Sequence, residues 1–376
     1  MISQADVGKL LSIRATEASV LSLFIQVPMD PHAQRGLPAR AEELVALAAR
    51  GRPDDPAAVR VAEGDRRAVR TMLQARARDW AGHTVAIFAC DQAGLAEAIS
   101  LPCRLQERAV LAARPHVRPL LLALQRCPPH YVVVVDRRHA WVLNVAGDRI
   151  ETVARPEGDS VRSRSFGGWY GLDSHRINER VIQLARHHYR DTAAILDHAM
   201  RDTGPQPLVV GGHEEGIPQL IGEFPAAVRD RFAGSFTADT HRMTPARARE
   251  LARPVIERSV SAREQHLVAQ LLESPDRLRA VGLRACLAAV NEQAVRLLLI
   301  PAGGVIPGFG CQRCGKLSST GAECPDGGAA SWPVPDLIEE MTTRTMADGG
   351  EAAAVQNPPG AVAAQLRFPL ALAEQA

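Results

Sequence analysis

Lysine is nearly missing from this chain: of 44 basic residues in 376, only Lys9 and Lys316 are lysines. The remaining 42 are arginines, a bias that fits either a GC-rich coding sequence or a demand for planar, bidentate phosphate binding. A global field of one sign is also lacking, since 42 acidic residues leave a net charge of only +2. Any contact with a polyanion must therefore come from a local patch. No apolar run approaches the roughly 20 residues that a bilayer requires, so no membrane partner is expected. The start, MISQADVGKLLSIRATEAS, has no basic stretch followed by an apolar core, and the expected location is cytoplasmic. Seven cysteines in so long a chain do not form a secreted disulfide framework. Cys90, Cys103, Cys127 and Cys286 sit in apolar or amphipathic surroundings and read as small buried hydrophobes. What is present is average for a globular protein, 46% hydrophobic and 23% charged residues, at a length that calls for two or three domains.

Three α/β units follow one another along the chain, with expected spans 1–127, 128–243 and 244–376. The first carries the apolar strands SVLSLFIQV (Ser19 to Val27) and TVAIFAC (Thr84 to Cys90). Between them lie two helical blocks, Leu37 to Ala49 and Pro56 to Trp80, separated by the breaker GRPDDP. In the second unit YVVVVD and AWVLNVAG flank the charged turn DRRH as a hairpin, and RIETVA adds a strand. A polar loop from Arg155 to Gly171 leads to a long helix over about Ser174 to Thr203, and then to the strand PLVVGG. The glycine turn GGHEEG that follows matches no phosphate-binding fingerprint and reads as a plain strand-to-helix turn. The third unit opens with a long helical stretch that Pro254 is expected to kink or break. It continues through a helix over Leu283 to Gln293, the strand RLLLIPA, a glycine- and cysteine-containing insertion, the helix VPDLIEEM and the strand-like AAQLRF.

Two stretches could carry chemistry. In the insertion, Cys311 and Cys314 have the spacing that lets two thiolates reach one tetrahedral ion, and Cys324 follows after nine residues. A closed zinc site needs four donors, and the position three residues beyond Cys324 is Gly327. Zinc completed by Asp326 or by water, and a knuckle that has lost its metal, are the two readings. The second stretch is SVRSRSFGGWYGLDSHRINER. Gly167, Gly168 and Gly171 permit backbone shapes closed to other residues, Arg162 and Arg164 place cations beside them, and Trp169 and Tyr170 put two large aromatics at the tip. Along the helix after it, Arg176, Arg180, Gln183, His187 and Arg190 recur at intervals of four, three, four and three and share one face. Ile177, Val181, Leu184 and Ala185 occupy a neighbouring face expected to pack on the sheet. Such a basic, aromatic-tipped ridge suits an RNA backbone with stacking at its end. A solvated helix face is the plain alternative. No nucleophile, metal or kinase constellation assembles from spacing.

In order and spacing these features resemble the class-1 peptide chain release factors of archaea and eukaryotes, their relative Pelota, and divergent bacterial homologues. VVVVDRRHAWVLNVAGDRIETV resembles the paired opening strands of that family's middle domain, and SRSFGGWYGLDSHRINERVIQLARHHYRDTAAIL its Gly-Gly-Gln loop with the basic helix behind it. RLLLIPA, the cysteine knuckle, VPDLIEEM and GAVAAQLRF, with Gly360, Arg367 and Phe368, resemble its closing domain. The resemblance implies a three-domain α/β protein that binds the ribosomal A site, touching rRNA, with a translational GTPase as a candidate partner and with no DNA contact. The departures are specific. Trp169 stands where the family has its glutamine, so no catalytic residue is assigned and release catalysis is expected to be absent or much reduced. The Asn-Ile-Lys-Ser and Tyr-x-Cys-x-x-x-Phe motifs of stop-codon reading are also missing. The expectation is therefore an A-site protein of the rescue or hibernation type. The alternatives are peptidyl-tRNA hydrolysis by a degenerate loop and a protein-interaction module that has left the ribosome.

Overall fold

The computed structural model describes residues 4–13, 15, 19–50, 63–101, 103–147, 149–158, 172–201, 203–204, 206–311, 313–321 and 331–370. The chain folds into two compact units: Met1–Arg126 with Arg263–Ala376, and Cys127–Ala262. The expected three-way division and this one differ in two respects. The first and last segments, each with its own sheet, fall in one unit, and the second boundary lies at 262/263 instead of 243/244.

In the first segment the helices are α1 (Gln4–Leu11), α2 (Leu37–Arg50), α3 (Glu63–Arg76) and α4 (Arg118–Arg126). The strands are β1 (Val20–Gln26), β2 (Thr84–Cys90), β3 (Leu95–Leu101) and β4 (Arg108–Ala112), paired antiparallel in the order β3-β2-β1-β4. Because successive side chains of a strand point to opposite faces, β1 is buried from Val20 to Ile25 only if both faces are covered. They are. Leu21, Leu23 and Ile25 pack with Leu37, Val45, Val69 and Leu73 of α2 and α3, whereas Val20 and Phe24 pack with Val7, Leu10, Leu120 and Ala123 of α1 and α4.

The last segment repeats the scheme with α8 (Leu283–Asn291), α9 (Leu337–Ala347), and the sheet β10-β16-β11-β15, built from β10 (Arg279–Val281), β11 (Val295–Pro301), β15 (Glu351–Val355) and β16 (Ala363–Leu366). Leu298 and Ile300 of β11 face α8 and α9, and Leu297 and Leu299 face Leu267, Val268 and Leu271. A separate three-stranded ribbon of β12 (Gly308–Cys311), β13 (Leu317–Ser318) and β14 (Ser331–Val334) forms the expected insertion.

Buried polar groups join the two segments within this unit. Glu339 accepts from His116 Nδ1 at 3.0 Å and from the backbone N–H groups of Val117 and Arg118 at 2.6 and 3.1 Å. Arg118, 2% exposed, pairs with Asp336 at 2.9 Å and donates to Gly304 O at 2.7 Å. Gln125 spans the edge of β15, donating to Ala352 O and accepting from Ala354 N, as a neighbouring strand would.

In the second unit the sheet order is β7-β6-β5-β8-β9, from β5 (His130–Val135), β6 (Ala140–Ala146), β7 (Arg149–Ala154), β8 (Leu208–Gly212) and β9 (Phe232–Thr237). β5, β8 and β9 run parallel, and β6 and β7 extend the sheet antiparallel from β5. Tyr131, Val133 and Val135 face α5 (Leu172–Arg201) and α6 (Gly216–Gly222), and Val132 and Val134 face Ala248, Ala252, Val255 and Ile256. The last four belong to α7 (Pro245–Glu273), which runs through Pro254 without the expected break. Pro254 is exposed, so water can satisfy the carbonyl it leaves unbonded, while the buried neighbours keep the helix packed. Gly212 ends β8 where no other residue fits: a Cβ there would lie 2.4 Å from Val135 O. Cys90 and Cys286 are buried and Cys103 and Cys127 half-buried; burial pushes the Cys286 thiol up to about 12. No helix among the described residues is long and apolar enough to cross a membrane.

Candidate nucleic-acid interface

The composition of helix α5 is divided by face. Ala185, Tyr189, Ala193, Leu196 and Met200 recur at four, four, three and four residues and are all buried against the sheet. Of the apolar face read from sequence, Ala185 is buried, Val181 and Leu184 are half-buried, and the side chain of Ile177 lies outside the described residues. The packed stripe instead continues toward the C-terminal end, where the helix covers β5 and β8.

The opposite face is cationic and open to water. Arg180 is exposed, His187 is exposed and 3.4 Å from Asp191, and Arg190 is exposed with its Nε 3.3 Å from Glu223. Arg176 lies on the helix, with its side chain outside the described residues, as are Arg162, Arg164, Gly167, Gly168, Trp169 and Tyr170 entirely. Arg186 joins this set although the heptad-like count did not select it. Its Nε is 3.0 Å from the other oxygen of Glu223, four residues before Arg190. Its i, i+4 relation to Arg190 was the available signal; Glu223, in the turn after α6, gave none.

The near end of the loop is fixed on the DRRH turn between β5 and β6. Asp136 Oδ1 accepts from the N–H groups of Arg138 and His139, and its Oδ2 accepts from Thr240 Oγ1 at 3.0 Å. Burial alone would raise the Asp136 carboxyl, but those three bonds hold it below the usual range. Gly158 N donates to Arg138 O at 2.6 Å and Ala140 N to Pro156 O at 3.0 Å, so the turn receives the incoming chain as a short strand would. A Cβ on Gly158 would press on His188 at 3.0 Å. His188 is 3% exposed, and burial lowers its pKa. Three residues before Gly158, the Arg155 guanidinium stacks over Trp141 at 4.5 Å. Hydrogen bonds to the turn thus hold the incoming chain as far as Gly158.

Cys311 and Cys314 lie on one turn leaving β12, closed by Gly315 N donating to Cys311 O at 2.8 Å; Cys311 is buried and Cys314 exposed. Cys324 and Asp326 lie outside the described residues, and among the described residues no three His, Cys, Asp or Glu side chains converge as metal donors. Two of the four expected donors therefore share a turn.

Comparison with known proteins bears on the segment that carries the ridge. Residues 115–264 match the model of bacterial archaeo-eukaryotic release factor family 10. No curated protein matches the chain. Among solved structures, the archaeal translation termination factor aRF1 aligns over 98% of this chain and 99% of its own at 14% identity, with a TM-score of 0.24. Pelota of Archaeoglobus fulgidus aligns over 77% and 81% at 14% identity, with a TM-score of 0.35. Dom34 of S. cerevisiae, a termination-like factor that interacts with Hbs1, aligns over 77% and 80% at 11% identity, with a TM-score of 0.43.

Proposed function

We propose, from the premise that this chain is a release factor/Pelota-like protein, that it is a ribosome-associated translation factor which binds the A site without decoding a stop codon. The observation that carries this is the exposed cationic face of α5, directly after the GGW loop and inside the matched segment 115–264. Arg180, Arg186 and Arg190 offer guanidinium groups to a phosphate backbone, and a face of that kind gives sequence-independent, salt-sensitive affinity. Trp169 in the glutamine position removes the amide that would orient water, and stacking on a nucleobase is the use left to an indole there. The missing decoding motifs favour a rescue or hibernation role, in which the site is occupied whatever codon it holds. A translational GTPase is the candidate for delivery. Zinc on Cys311, Cys314, Cys324 and Asp326 would be structural, and metal analysis of wild type against Cys314→Ser tests it.

Co-sedimentation with vacant and with mRNA- and tRNA-programmed ribosomes tests the function. Binding to vacant ribosomes that Arg176→Glu/Arg180→Glu loses is the expected result. Peptide release from a loaded ribosome, abolished by Gly168→Ala, would favour a residual hydrolase, the second reading that the retained Gly167 and Gly168 keep open.

A further inference from the structure

The ridge on α5 contains an anion where an RNA-binding surface would be expected to exclude one. Glu223 sits between Arg186 and Arg190, and each of its oxygens takes one Nε: Oε1 from Arg186 at 3.0 Å and Oε2 from Arg190 at 3.3 Å. One carboxylate thus serves two cations a single helical turn apart. Elsewhere on this helix His187 lies 3.4 Å from Asp191, and Arg201 pairs with Asp197.

Three features separate Glu223 from an ordinary surface pair. Its backbone is held, since Glu223 N donates to Leu220 O at 3.0 Å and the next residue, Phe224, is buried in the sheet-facing core. Its side chain is only 16% exposed, whereas those of Arg186 and Arg190 are 71% and 60% exposed. The acid is the shielded element and the arginines are its exposed partners. Finally, both arginines engage it through Nε, and among the described residues neither guanidinium makes another hydrogen bond, so their terminal amino groups remain available. A guanidinium tethered at one edge presents the rest of its fork already ordered.

We infer that Glu223 is a positioning residue that holds Arg186 and Arg190 as a paired clamp for adjacent phosphates of an RNA strand. This deepens the proposed function and rests on it for the identity of the RNA. Two guanidiniums shared by one acid leave a local positive charge, and an ordered side chain loses less freedom when it binds. A flexible cationic face would instead bind more tightly once that anion was removed. The two cases therefore differ in sign.

The test is fluorescence anisotropy of the full chain with a short labelled RNA hairpin across a salt series, with hexaglutamate as the competing acidic peptide. Glu223→Gln and Glu223→Asp are compared with wild type; the second keeps the charge but cannot span both arginines. Each is expected to weaken hairpin binding about threefold. Arg186→Gln/Arg190→Gln should weaken it further and lower the slope of log affinity against log salt by about 1 to 2. Arg149→Gln, on the far edge strand, should change neither. Equal or tighter binding by Glu223→Gln and Glu223→Asp, each with a wild-type unfolding transition, overturns the inference. So does a wild-type protein that ignores the hairpin, or one whose Arg186 and Arg190 serve only the peptide. Ribosome co-sedimentation is read separately: a clamp that acts on the hairpin in a chain that ignores ribosomes would leave the inference standing and remove the translational reading.

Discussion

Glu339 and Glu223 are both carboxylates shared among several donors, yet they do opposite work. Glu339 gathers a buried histidine and two backbone N–H groups from the first segment, Val117 lying 222 positions away in the chain, and so joins the first and last segments of one unit. Burial would raise its carboxyl, but the charge and hydrogen bond of His116 and the two N–H bonds outweigh it and hold the group below the usual range. Glu223 is held low chiefly by its bond to Arg186, and its partners are exposed side chains that water and other anions can reach. The first arrangement leaves no replacement when a partner is lost. The second can exchange partners at little cost, which is what a binding surface needs.

The largest expected effect is on the buried side. Glu339→Ala leaves two N–H groups and His116 without their acceptor and should destabilise the first unit by about 3 to 5 kcal/mol, measured by urea unfolding. Acid should reproduce part of this. A carboxyl held below its unfolded value adds stability above the ordinary carboxylate range, and that stability is lost as pH falls through the depressed value. Next is Gly212→Ala, which sets a Cβ against the Val135 carbonyl and should cost the second unit about 1 to 3 kcal/mol while leaving the first unchanged. Separate unfolding transitions would resolve the two units, and a single transition shifted by both variants would deny their independence. Smallest is Glu223→Gln, expected to change stability by less than about 1 kcal/mol despite its effect on RNA binding.

Much of the fold is legible in the sequence because apolar runs such as VLSLFIQ, TVAIFAC and YVVVV require cover on both faces. The long helix after the loop is legible for the same reason, its small and apolar residues recurring at helical spacing. β3 and β4 are not legible: LAEAISL and RAVLA are half-exposed, alanine-rich, and carry no strict alternation. β9 hides behind Gly234, whose Cβ would lie 2.8 Å from Val255. The grouping of first and last segments draws, beside the packing of Leu122 and Met346, on His116, Arg118, Gln125, Asp336 and Glu339, charged or polar residues that local patterns assign to the surface. In the candidate site, Arg180, His187 and Arg190 were found by periodicity. Arg186 was passed over because it lies on the flank of that face, and its partner arrives from the turn after α6.

The most direct test of ribosome association is sucrose-gradient co-sedimentation of the full chain with vacant and programmed bacterial ribosomes, at low and moderate salt, beside Arg176→Glu/Arg180→Glu. Wild type travelling with vacant ribosomes at both salts, and the variant remaining at the top, is the predicted result. A wild-type chain that stays at the top of every gradient, or a variant that binds as well as wild type, would contradict it.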